Sequence, residues 1–232
     1  MLASRYSQTF LMIVLCLLSL ASFEAFAHGV DEKTRLFLQN NTGVQFFPFM
    51  YIGAKHMITG YDHLLFLAGV IFFLYKSRDI LLYVSMFTLG HSLTLLLGVW
   101  SDIQVNAYLI DAIIGLSVVY KGFDNLGGFK RTLGYTPNPK LAVLIFGLFH
   151  GLGLATKLQE FQLPQEGLLT NLIAFNLGVE LGQFAALICI LLAISFWRKH
   201  HSFTLFSTTS NTLLMSAGFM LIGFQLTGYF TG

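Results

Sequence analysis

The chain has 232 residues, 55% hydrophobic and only 10% charged, with a formal net charge of +2 and a mean hydropathy of +0.71. Soluble domains carry about 25% charged residues, so this composition indicates an integral membrane protein. It excludes a nucleic-acid partner, because no basic cluster is present. The two cysteines, Cys16 and Cys189, lie in apolar runs and supply neither a disulfide framework nor a zinc knuckle.

Residues 1–27 read as a secretory signal peptide. Arg5 provides the positive charge, Thr9 to Leu20 the apolar core, and Ala25-Phe26-Ala27 a small-x-small cleavage site. That core is too short to cross about 30 Å of hydrocarbon comfortably, so cleavage is expected rather than a retained first helix. Cleavage after Ala27 makes His28 the mature N-terminus, whose free amine and imidazole can chelate a soft divalent metal. Residues 28–47, with Asp31, Glu32, Lys33 and Arg35, form a short extracytoplasmic segment ahead of a membrane domain over 48–232.

Six apolar stretches follow, at about 48–75, 79–100, 103–121, 140–158, 168–197 and 209–230. Each is near or above the roughly 20 residues that a spanning helix needs. The predicted fold is therefore all-α: six transmembrane helices after a cleaved signal peptide. Lys76 and Arg78 follow the first span; Lys121, Lys130, Arg131 and Lys140 follow the third; Arg198 and Lys199 follow the fifth. The alternate loops carry Asp102, then Lys157 with Glu160 and Glu166. This asymmetry puts loops one, three and five in the cytoplasm, and an exported N-terminus demands the same orientation. The expectation is a multi-pass protein of the bacterial inner membrane with both mature termini extracytoplasmic.

The long connection over 122–139 divides the spans three and three. Asp62-His63-Leu-Leu-Phe can be set against Phe149-His150-Gly-Leu-Gly, and Phe87-Thr-Leu-Gly-His91 against Phe175-Asn-Leu-Gly-Val-Glu180. His63 to Phe87 is 24 residues and His150 to Phe175 is 25. Three spans per half would make an inverted repeat, as in many transporters.

The ionisable residues within the spans are few: His56, Asp62, His63, His91, Asp111, His150 and Glu180. A charged or titratable group in hydrocarbon is costly and marks a functional site by default. His56 and His63, seven residues or nearly two helical turns apart, are expected on one face of a helix. Asp62 is near enough to orient a ring or to share a cation. At about 1.5 Å per residue all these groups lie in one layer, from the midplane toward the outer face. Asn176 and Gln183 stand beside Glu180. Four imidazoles with carboxylates suit Ni²⁺, Co²⁺, Zn²⁺ or Cu²⁺, and a carboxylate can also fix a ring tautomer from behind. The bland readings are an interhelical hydrogen bond for His91, a packing contact for Asp111 and a proton carrier for Glu180. Gly147-x-x-x-Gly151 brackets His150 and Gly178-x-x-x-Gly182 brackets Glu180, a spacing that lets helices approach closely. The 24 Phe residues read mostly as lipid-facing bulk.

His56-x5-Asp62-His63 followed by Leu64-Leu65-Phe66 resembles the motif of the HupE/UreJ family of hydrogenase and urease accessory membrane proteins. It is also similar to the motif helix of the larger nickel–cobalt transporter family. Phe87-Thr-Leu-Gly-His91-Ser-Leu-Thr, Phe146-Gly-Leu-Phe-His150-Gly-Leu-Gly and Phe175-Asn-Leu-Gly-Val-Glu180-x-Gly-Gln183 look like further blocks of that family's divergent second branch. The resemblance implies a nickel or cobalt permease, partnered by a metalloenzyme maturation system. One departure matters: His150-Gly151 is followed by Leu152-Gly153-Leu154, where the better-studied branch has a second His. Copper and zinc therefore stay beside nickel and cobalt as cargo. The leading expectation is a permease using His56, Asp62, His63, His91, His150 and Glu180, with His28, Asp111 and Asn176 as further metal-binding candidates. The alternatives are an intramembrane zinc-dependent hydrolase and a metal-delivery accessory protein; the reading leans away from an enzyme.

Overall fold

A computed structural model describes residues 43–160 and 166–231. The expected signal peptide, His28 and most of the expected external segment lie outside the described residues. Among those described, every regular element is helical: α1 (Phe46–Thr59), α2 (Tyr61–Ile71), α3 (Ser77–Trp100), α4 (Ala107–Asn125), α5 (Gly128–Leu133), α6 (Pro139–Glu160), α7 (Leu168–Trp197) and α8 (His201–Thr231). Four of these, α3, α6, α7 and α8, are long and apolar enough to cross a membrane.

The first expected span differs from the prediction. It is two helices, of 14 and 11 residues, broken at Gly60. Gly60 leaves the helical region at φ −74°, ψ 98°, and its N–H donates to His56 O. A Cβ there would sit 2.8 Å from His63 Nδ1 and 3.2 Å from Asp62 Oδ1, so the break depends on the missing side chain. The break sets Asp62 in the first turn of α2 and His56 in the last turn of α1. Helix dipoles favour negative charge at the first position and positive charge at the second. The far end of α2 is closed from α7. The Arg198 guanidinium donates to Ile71 O, Phe72 O and Leu74 O at 2.5–2.9 Å and lies 4.3 Å over the Tyr75 ring.

Three helix pairings organise the rest: α3 against α6 and α1 against α7, each pair running parallel, and α4 against α8, antiparallel. The first two crossings are built alike. A Cβ on Gly147 would overlap Phe87 O, and one on Gly53 would overlap Phe175 O. Gly90 faces Leu144 O in the first crossing and Gly178 faces Met50 O in the second. Each pair therefore meets backbone to backbone, as small residues permit. The glycine register sets Gly53-x-x-His56 against Gly147-x-x-His150, and Phe87-x-x-Gly90 against Phe175-x-x-Gly178. His56, not His63, thus stands opposite His150.

The apolar core, including Phe66, Val70, Ile71, Val84 and Phe203, fills the half of the bundle nearer the end that carries Lys76, Arg78, Lys140 and Arg198. We call this the basic end. The buried histidines lie toward the other half.

Candidate metal centre

His63 is the hub. From the first turn of α2 its ring centroid lies 4.8 Å from that of His150 on α6, 5.2 Å from His56 on α1 and 6.2 Å from His91 on α3. His63, His91 and His150 are at most 3% exposed, and Asp62 is 1% exposed. Among the described residues, Asp62, His63 and His150 each offer a ligand atom within 4.8 Å of the others.

Two contacts decide which ring nitrogens face the centre. Asp62 Oδ1 lies 3.0 Å from His63 Nδ1. A carboxylate only accepts, so Nδ1 carries the proton and Nε2 is the basic nitrogen. Ser117 on α4 donates its single hydrogen to Ile114 O at 2.6 Å, which turns a lone pair toward His150 Nε2 at 3.3 Å. His150 then donates from Nε2 and keeps Nδ1 as its basic nitrogen. Polar partners behind a ring hold metal-binding histidines in this way. His63 Nε2 and His91 Nε2 are buried without a hydrogen-bond partner, and such an orphan atom costs roughly 1–3 kcal/mol.

Aromatic rings close the surroundings. Phe87 stacks on His91 at 6.0 Å and meets His150 edge-on at 5.0 Å, Phe66 lies 5.6 Å from His150, and Phe175 lies 6.3 Å from His56. Phe66, Phe87 and Phe175 are at most 5% exposed, so the view of phenylalanine as lipid-facing bulk fails for these three. The available signal was spacing: Phe87 precedes His91 by one helical turn and Phe66 follows His63 by three residues. Ser117 and Gly60 also went unnoticed. Ser117 could have been found as an isolated hydroxyl in the apolar face of α4.

The other expected ligands do not join this group. Asp111 receives two hydrogen bonds from Lys157 Nζ, at 2.7 and 3.0 Å, and both side chains are largely buried. Lys157 was expected in a loop, but α6 runs on to Glu160. Glu180 is exposed on α7, where Asn176 Nδ2 donates to it at 3.3 Å. Gly178 and Gly182 of α7 press on α1, which turns Glu180 to the opposite side of its helix. Gln183, on the buried face, instead accepts from Thr88 at 3.0 Å.

No curated protein and no solved structure shows a significant match to the chain. Residues 32–232 match the family model described as HupE / UreJ protein. That match covers all the described helices and the whole histidine centre, and the chain belongs to the HupE/UreJ family.

Proposed function

We propose that this protein is a membrane permease for a divalent transition metal, nickel or cobalt first and copper or zinc next. The ion is held by His63 and His150 with Asp62, and His56 and His91 complete the surroundings. The observation that carries this reading is convergence: Asp62 and three further imidazoles, from α1, α3 and α6, gather around the buried His63. Family membership supports it. Imidazole suits these metals, and a conducting site must bind weakly enough to release.

The proposed membrane arrangement has six spans, with α1 and α2 together as one broken span. Discontinuous helices of this kind carry ion sites in transporters. Residues 1–27 are a cleaved leader, His28 begins an extracytoplasmic segment over 28–47, and the membrane domain covers 48–232. The basic end faces the cytoplasm, and both mature termini lie outside the inner membrane. The matched glycine crossings favour a three-plus-three inverted repeat. Glu180 and Asn176 stand outside the proposed ligand set, as does Asp111. The chain shows no nucleotide-binding motif, so the ion follows its gradient or a coupled proton.

The test is metal uptake in cells expressing wild type or His63→Ala under limiting nickel, cobalt, copper and zinc. Uptake of one of these metals should fall to background in the variant. Equal uptake of all four rejects the permease.

A second reading, an intramembrane zinc hydrolase, is favoured by one feature. Three donors leave a coordination position open for a water molecule. Stoichiometric zinc retained through purification, with no flux in liposomes, selects it. Delivery of metal to a metalloenzyme maturation partner is the corresponding accessory role.

A further inference from the structure

Below the histidines, toward the basic end, the bundle contains a narrow cavity. His63, Met57 and Gln183 line its upper part and Tyr83 its lower part. It has room for about one water molecule. Val70, Val84 and Val143 line the same cavity and are buried at 3%, 9% and 3% exposure.

These valines have a common relation to the histidines. Val70 follows His63 by seven residues, Val84 precedes His91 by seven, and Val143 precedes His150 by seven. Seven residues are two helical turns, about 10 Å along the axis and nearly the same face. α2 runs toward the basic end, whereas α3 and α6 start from it, so all three steps lead in the same direction. Three helices therefore carry a histidine layer and, two turns below it, a valine layer that lines the one cavity. The one hydroxyl at the cavity's lower end belongs to Tyr83, in the second turn of α3.

We infer that Val70, Val84 and Val143 form a closed apolar gate on the path from the histidine centre to the basic end. This inference rests on the permease reading. A divalent cation gives up hydration only to ligands that replace it, and a valine collar offers none. A neck that admits about one water excludes the hydrated ion, and apolar constrictions gate by shedding water. The structure is thus closed on this side. Opening requires α2, α3 and α6 to separate at the collar or the collar to become wet.

The experiment uses the full chain in liposomes, with external Ni²⁺ or Co²⁺ and an entrapped metal-sensitive dye. Val→Thr at each of the three positions keeps the branched shape and adds a hydroxyl. Each should raise ion flux several-fold, with unchanged metal stoichiometry at the centre. Val84→Phe should stop flux while metal binding persists, and that binding reports that the variant has folded. Should Val84→Phe lose binding as well, the three Thr variants decide alone. If wild type conducts and all three Thr variants conduct at the wild-type rate, the gate is overturned and the permease stands. If neither wild type nor any variant conducts although metal binds, the permease reading falls and takes the gate with it.

Discussion

Two buried polar groups face each other across two turns of α6. Lys157 and Asp111 form one, and the histidine centre around His150 forms the other. The first is complete in itself: opposite charges meet at 2.7 Å, and both carboxylate oxygens are engaged. The second is not. His63 Nε2 and His91 Nε2 are buried in a ring of aromatics without a hydrogen-bond partner. His63 Nε2 presents a lone pair, because its Nδ1 proton is turned to Asp62, and a cation can satisfy it. The difference separates a polar group that joins two helices from one that is built to receive something.

The comparison breaks first at His63. Its ring contacts the other three histidines, so His63→Ala should cost more than the roughly 10–100-fold in affinity that a supporting partner costs. Equilibrium dialysis of purified protein against Ni²⁺, Co²⁺, Cu²⁺ and Zn²⁺ should show loss of the stoichiometric site. A variant that still binds every metal at wild-type affinity would leave the centre a packing cluster.

The ion pair should respond in the opposite sense. Lys157→Met strands a buried carboxylate, a change that costs about 3–5 kcal/mol when one partner of such a pair is removed. Thermal unfolding in detergent should show a large drop. The double change Asp111→Leu with Lys157→Met should recover most of that stability and retain the metal site. If the stable double variant no longer binds metal, the ion pair and the centre act as one unit, contrary to the comparison.

Asp62→Asn tests the support behind His63 and comes next in size. The amide keeps the shape of the carboxylate but not its charge, so Nδ1–H loses a charge-assisted acceptor. Metal affinity should fall by about 10–100-fold with little change in unfolding temperature. An unchanged affinity would mean that Asp62 serves only the start of α2.

Much of this was legible in the sequence, for identifiable reasons. Long apolar runs located α3, α6 and α7 to within a few residues, because hydrocarbon length sets helix length. The four histidines stood out because titratable groups are rare in such runs. The break at Gly60 was not legible, since apolar residues continue on both sides and only the packing of Asp62 and His63 against Gly60 requires it. The partner of Asp111 was hidden because it lies 46 residues away, at the last turn of its expected span, where it was counted with the loop. Phe87 and Phe175 open similar Phe-x-Leu-Gly runs, yet their role emerges only once Gly147 and Gly53 rest on their carbonyls.

Glu180 carries the smallest expected effect, and it probes the same contrast from the outside. The sequence places it with the ligands because its depth matches theirs. α7, however, is apolar around its whole circumference, so no periodicity tells which face is buried. The glycines decide: Gly178 and Gly182 lie on α1, and two residues of rotation from either, about 200°, carry Glu180 to the far side of α7, away from the centre. Glu180→Gln removes the charge and keeps the size. Metal affinity at the histidine centre should stay within about twofold of wild type, well short of the 10–100-fold that a supporting residue costs. A tenfold loss would mean that α7 turns to bring Glu180 inward when metal binds. The bound state would then differ from this structure by a rotation of that helix.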